Sequence, residues 1–331
     1  MELPTYIQIE PVGQCNLRCR MCPIQFRSDG SPDGPPAFMP LATFRNLIDQ
    51  FTTLGELHLQ GLGEPMMHPQ FFEMVRYAAQ RGIRVTTNTN MTLLSRRRAD
   101  LCMSAGLDTI HISVDGANAD TYEAIRVQSS FARLSRNMDW LLQARRAAGG
   151  GPKLHMVGVL MRRNLHELPA LVRLAHHWEM EELFIQHLCH DFGEDGLPAR
   201  YRPMRDFVSA ETLAGVDLAP VDAVFAEARA VAAELGLRLR LPNLRPQPHP
   251  PGTRGRERCN WPWSGAYLSY DGQAMPCCMI STPDRGALGN MAEQGVAAVW
   301  SGEDYESFRA RLDSDNPPEV CRSCALYQGL F

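Results

Sequence analysis

The stretch GQCNLRCRMCPIQ, residues 13–25, places Cys15, Cys19 and Cys22 directly after a strand-like run, Tyr6–Glu10. A disulfide uses two thiols and a closed structural zinc site uses four ligands, so three cysteines complete neither. Thiolates suit iron–sulfur clusters or zinc. A 4Fe–4S cluster held by three cysteines keeps one iron free for a substrate or cofactor, which accounts for the odd number. Zinc would need a distant fourth ligand such as His68, and its cysteines usually come as C-x₂-C pairs.

Outward from this stretch, short apolar runs alternate with helix-period segments up to about residue 190. The strand candidates are Tyr6–Glu10, Glu56–Gly61, Arg84–Thr89, Thr109–Val114, His155–Met161 and Glu182–Leu188. Between them lie LATFRNLIDQF, PQFFEMVRYAAQ, LSRRRADLCMSA, FARLSRNMDWLLQAR and LHELPALVRLAHHW, each with apolar residues at helical spacing. Such alternation predicts right-handed strand–helix–strand units and an α/β fold with a parallel sheet, whose chemistry collects at the carboxyl ends of the strands. Residues 26–38, FRSDGSPDGPPAF, read as a loop. After a helix near 219–235, the Pro-rich connector 241–258 marks a boundary. The organisation expected is therefore a barrel over 1–200, a helical extension and linker over 201–258, and a small cysteine-rich domain over 259–331.

Composition narrows the class. A formal charge of −4 argues against a nucleic-acid-binding surface, and no apolar run approaches membrane-spanning length. The start, MELPTYIQIE, has neither the basic region nor the apolar core of a signal peptide, so a cytoplasmic protein is expected. In that setting ten cysteines point to metal rather than disulfides. Eight of them fall in two groups, 15, 19, 22 and 259, 277, 278, 321, 324, while Cys102 and Cys189 stand alone.

The spacing Cys15-x₃-Cys19-x₂-Cys22, with its filling CNLRCRMC, resembles the signature of the radical S-adenosylmethionine (SAM) enzymes. Further segments match in order. GLGEP (61–65) resembles the turn that binds the SAM amino group, TNTN (87–90) ends the third strand, and SVDG (113–116) ends the fourth. YEAIR (122–126) supplies Arg126, while GVLMRRN departs from the usual small-residue pattern. The resemblance implies a partial (β/α)₆ TIM-like barrel, with Gly61, Gly63, Glu64, Asn88, Ser113, Asp115 and Arg126 around SAM. The C-terminal cysteines and the hairpin-like GAYLSY and AMPCC around a DG turn resemble a twitch or SPASM domain. That likeness implies a second 4Fe–4S cluster on Cys259, Cys277, Cys321 and Cys324, with Cys278 as a competitor for Cys277. A Cys₄ zinc knuckle is the other reading of those residues. An external electron donor, flavodoxin or ferredoxin, follows from the same resemblance.

The reaction turns on FIQHLCHDFGED (184–195), which leaves the sixth strand at the barrel mouth. If Cys189 reaches a substrate radical, its thiol can return hydrogen from the opposite face and invert a hydroxyl-bearing carbon. If it is a packed bystander, the radical loses a proton and an electron and a ketone results. Both outcomes occur among twitch enzymes that act on sugars and aminocyclitols, so the resemblance implies a small carbohydrate-like substrate and an epimerase or, alternatively, a dehydrogenase. A peptide-modifying enzyme is a third reading. Asp191, Glu194 and Asp195 form either a cation site for an amino-sugar substrate or a solvated loop, with His190 beside them as a further candidate substrate residue. Glu10 would touch substrate hydroxyls or form a salt bridge.

Overall fold

A computed structural model of the chain describes residues 2–28, 34–35, 37–188, 193–245 and 247–329. Six strands form where the apolar runs place them: β1 Tyr6–Ile9, β2 Glu56–Leu59, β3 Arg84–Thr89, β4 Leu107–Ser113, β5 Lys153–Leu160 and β6 Glu182–His187. Each pairs in parallel with its neighbour in sequence. Alternation along the strands divides the sheet chemically. Ile7, Ile9, Leu57, Leu59, Val85, Ile110, Ile112, Leu154 and Met156 are buried in one continuous core with the crossover helices. Gln8, His58, Thr86, His111 and His155 point the other way, into the partial barrel. There Gln8 bonds Gln60, His58 bonds Thr86 at 2.7 Å, and the three imidazoles meet edge to face.

The helices use the signals expected of them. Ser95, Asn118 and Ser130 cap Arg96–Ser104, Ala119–Ile125 and Phe131–Ala147 through their side-chain oxygens. The long helix Leu218–Leu235 stops at Gly236, whose φ of 66° suits a residue without a side chain.

Three further strands enlarge the sheet. β7, Arg238–Arg240, adds to β6, so the segment read as helical extension and linker contributes an edge strand. The expected C-terminal hairpin forms as β8, Gly265–Leu268, and β9, Ala274–Met275. β8 pairs in parallel with β1, giving one nine-stranded sheet in the order β7-β6-β5-β4-β3-β2-β1-β8-β9. The cysteine-rich region is therefore built onto the barrel's first strand rather than tethered by a linker. Tyr6 packs edge-on against Trp261, Val296 N–H donates to Gln50 and Trp300 Nε1 donates to the Glu2 carbonyl, which fastens the same region to the first helix and the N-terminal segment. Among the described residues no helix is long and apolar enough to cross a membrane.

Candidate active site

The loop after β1 is zipped to the C-terminal end of the helix Ala119–Ile125. Arg20 N–H donates to the Ile125 carbonyl at 3.1 Å, and Arg18 N–H donates to the Val127 carbonyl at 2.9 Å. Leu17 and Met21 pack with Ile125, Leu188 and Tyr201, and Cys15, Cys19 and Cys22 join that cluster. Donors reach the sulfurs: Leu17 N–H lies 3.4 Å from Cys15 Sγ, Asn90 Nδ2 lies 3.7 Å from the same sulfur, and Arg126 Nη1 lies 4.0 Å from Cys19 Sγ. Burial pushes the Cys15 and Cys19 thiols up and the Cys22 thiol to about 12. A cationic cluster that displaces the protons removes that penalty, and the nearby donors stabilise the charge left on sulfur. Among the described residues no three His, Cys, Asp or Glu side chains are grouped to hold a single metal ion.

GLGEP is pressed against this loop. A Cβ at Gly61 would run into the Glu10 side chain, and one at Gly63 would strike the carbonyl of Val12. Both glycines are there for close backbone approach. Glu64 accepts from Thr89 Oγ1 at 2.6 Å, Asn90 N–H at 2.8 Å and Met66 N–H at 3.1 Å, while burial raises its carboxyl above the ordinary range. Glu10, expected at the substrate or in a salt bridge, takes the second course. Its carboxylate accepts from Arg27 Nη1 at 2.9 Å and from the Leu62 and Gly63 N–H groups, and both side chains of the ion pair are fully buried. The residue thus ties the glycine turn to Arg27, which follows the cysteine loop.

SVDG performs a similar task on the other side. Asp115 accepts from Val159 N–H at 2.7 Å and pairs with Arg126 Nε at 2.8 Å, so its carboxylate orients the arginine that approaches Cys19. Ser113 and Asn88 are half-buried on the strands' inner face. Two residues escaped the sequence reading. Asn90, the last residue of TNTN, bonds Asn16 and Thr92 and reaches Cys15. Asn164, in the segment that departs from the usual pattern, spans the Asp115 and Val159 carbonyls at 2.9 Å each. An asparagine after a strand end was the only signal for either.

In the C-terminal region Cys259, Cys277, Cys321 and Cys324 line one cavity, walled by Trp261, Ile280 and Phe308 among others. Cys278 is not part of that lining and packs with Tyr267, Met275 and Ile280. Burial, then the neighbouring thiols, pushes Cys277 well up and Cys321 to about 12. The donor set is all sulfur in an apolar shell, which fits an iron–sulfur cluster.

Cys189, His190 and Asp191 lie outside the described residues. Glu194 is committed elsewhere than expected: it accepts from Arg285 Nε at 2.6 Å, and both side chains are almost wholly buried. Tyr201 bonds Thr282, Arg200 pairs with Asp284 and Asp195 N–H donates to Glu319, so the segment after β6 is stitched to the C-terminal region.

Two cysteine constellations, one at the carboxyl ends of a partial barrel's strands and one in an apolar cavity beside it, suit a protein that carries iron–sulfur clusters. The radical SAM superfamily model matches residues 9–175, and the model for an iron–sulfur cluster-binding domain, SPASM, matches residues 259–325. The chain belongs to the radical SAM superfamily and carries a SPASM domain. The radical SAM domain binds SAM and a 4Fe–4S cluster, and the SPASM domain binds further iron–sulfur clusters.

The chain is 24% identical to the tungsten-containing aldehyde ferredoxin oxidoreductase cofactor-modifying protein of Pyrococcus furiosus, covering 97% of this chain and 87% of the other. It is 27% identical to a PqqA peptide cyclase of Xanthomonas euvesicatoria, covering 97% and 80%, and 25% identical to the AdoMet-dependent heme synthase of Methanosarcina barkeri, covering 97% and 88%. The fold matches that of Streptococcus suis SuiB bound to S-adenosylmethionine with a TM-score of 0.69 at 13% identity, covering 99% of this chain and 72% of the other. The names of these relatives give no support to the expected carbohydrate substrate.

Proposed function

We propose that this enzyme removes hydrogen from a peptide C–H bond at the barrel mouth and completes the reaction oxidatively. When bound, SAM and the N-terminal cluster supply a 5′-deoxyadenosyl radical, and the auxiliary cluster supplies an electron acceptor. The observation that carries the oxidative half is the continuity of the sheet. β8 pairs with β1, and Glu10 N–H donates to the Leu268 carbonyl at 2.8 Å, so the four-cysteine cavity is held in fixed relation to the cysteine loop. The relatives named for peptide cyclisation support the peptide half.

In this reading Cys15, Cys19 and Cys22 hold the first cluster and Cys259, Cys277, Cys321 and Cys324 the second. Glu64 receives the SAM amino group, and Ser113 and Arg126 flank its carboxylate. Asp115 and Asn164 keep Arg126 and the fifth-strand exit in place. The inverting alternative, epimerisation of a hydroxyl-bearing carbon, needs hydrogen return from Cys189.

Anaerobically reconstituted protein given SAM and titanium(III) citrate should release 5′-deoxyadenosine; no release would refute the radical reading. With a precursor peptide encoded beside its gene, the enzyme should yield a product two mass units lighter, and Cys189→Ala should do the same. A product of unchanged mass carrying one solvent deuterium, lost in Cys189→Ala, would establish the inverting outcome instead.

A further inference from the structure

Among the described residues four arginines bury almost the whole side chain, and three of them meet a carboxylate: Arg27 pairs with Glu10, Arg126 with Asp115 and Arg285 with Glu194. Arg309 is the exception. It is 4% exposed, and among the described residues no carboxylate lies within ion-pair distance of it. Neutral groups alone hold its guanidinium. Nε donates to the Pro262 carbonyl at 2.7 Å, Nη1 donates to the Trp300 carbonyl at 2.8 Å, and Nη2 is buried without a hydrogen-bond partner. Cζ lies 4.3 Å from the Trp300 ring centroid and 4.8 Å from that of Tyr305. Glu306, three residues back on the same helix, is exposed and acts on it only from a distance.

The two carbonyl bonds do not call for a charge, since a neutral amide could donate both. Burying a cation without a counter-ion is costly, and burial accordingly pushes Arg309 below its ordinary range. What lies next to it is the four-cysteine cavity. Pro262, whose carbonyl Arg309 binds, lines that cavity, as do Phe308 and Leu312 of its own helix, Glu303–Leu312. Tyr305, against which the guanidinium rests, donates its hydroxyl to the Met275 carbonyl at 3.1 Å, two residues before Cys277. Arg309 thus backs the cavity wall without reaching through it.

We infer that Arg309 is the fixed counter-charge of the auxiliary cluster, a positioning residue that raises the cluster's reduction potential without touching it. An iron–sulfur cluster on four thiolates is an anion, and reduction adds one further negative charge. A cation behind an apolar wall is poorly screened and stabilises the reduced form more than the oxidised one, so the potential rises. In the oxidative step the substrate radical gives up one electron and releases one proton to solvent, and the cluster gains the electron; no bond to Arg309 forms or breaks. The inference rests on the oxidative half of the proposed function and names the residue that tunes its electron acceptor.

The test is a dye-mediated redox titration of the reconstituted full-length enzyme, followed by electron paramagnetic resonance. The auxiliary signal is assigned by its survival in the variant Cys15→Ala, Cys19→Ala, Cys22→Ala. Arg309→Gln should lower the auxiliary midpoint potential by about 59 mV or more, a roughly tenfold loss in the equilibrium constant for one-electron reduction. The potential of the N-terminal cluster should stay where it is. Arg309→Lys, which keeps the charge, should remain close to wild type. An unmoved auxiliary potential in Arg309→Gln, or equal shifts in the two variants, would overturn the assignment. If Arg309→Gln falls from about eight irons per chain to about four, Arg309→Lys decides. Retained iron and a wild-type potential there support the role of charge, whereas loss of iron there too means a structural role only and overturns the inference. Wild-type enzyme that forms 5′-deoxyadenosine yet shows no reducible auxiliary cluster would instead remove the oxidative reading, and the inference with it.

Discussion

Glu10 shows how much one side chain can hold. Its carboxylate joins Arg27 to the backbone of Leu62 and Gly63, entirely out of water. Removing one partner of such a pair leaves a buried charge uncompensated, at roughly 3–5 kcal/mol. Glu10→Gln is therefore expected to lower the apparent melting temperature measured by circular dichroism and to weaken SAM binding. A melting curve equal to wild type would show that Arg27 finds another acceptor. Cysteine identity is open to an equally direct check. Because Cys277 lines the cavity and Cys278 does not, Cys277→Ser should cost about four irons per chain on reconstitution and Cys278→Ser almost none. The reverse result would exchange their roles.

At the scale of elements, the six barrel strands were legible because each carries a run of four or more residues with a buried face, and the helices between them carry period and caps. The sheet's two extensions were not legible as such. β7 has only three residues, too few to stand out although Leu237–Leu241 alternates, and nothing in GAYLSY says that its partner is the distant β1. The same distance hid the ion pairs. Glu10 and Glu194 read as acidic residues near a mouth, whereas their partners Arg27 and Arg285 sit 17 and 91 positions away. The family, by contrast, was readable through the short local spacing of Cys15, Cys19 and Cys22. The pairing of β8 with β1 carries a prediction of its own. Ending the chain at Arg258 would strip β1 of one neighbour and expose a flat hydrogen-bonding edge around Ile7 and Ile9, so that fragment should aggregate on expression. A soluble, monomeric fragment by light scattering would contradict this.

Across the whole molecule, the barrel interior responds to acid. Burial, with the neighbouring imidazole adding to it, lowers His58 to about 3 and His111 to about 4. In the unfolded chain both titrate near 6.5. Between those values the unfolded state binds more protons, so stability rises with pH through the window and falls as pH drops below about 6.5. Thermal unfolding of the protein should shift downward from pH 7 to pH 5, and His58→Asn should flatten that slope even if it lowers the melting temperature overall. An unchanged slope would mean that other groups set the acid response.

The register between Tyr6 and Gly265 also has a consequence in time. Contacts so far apart in sequence form late, since the loop between them must close first. During synthesis the strand that covers the outer edge of β1 follows it by about 260 residues. At roughly 5–20 residues per second, that edge waits on the order of tens of seconds for its partner. Over that interval the nascent protein is a half-walled barrel, and assistance from a chaperone that shields sheet edges would be needed most before β8 appears.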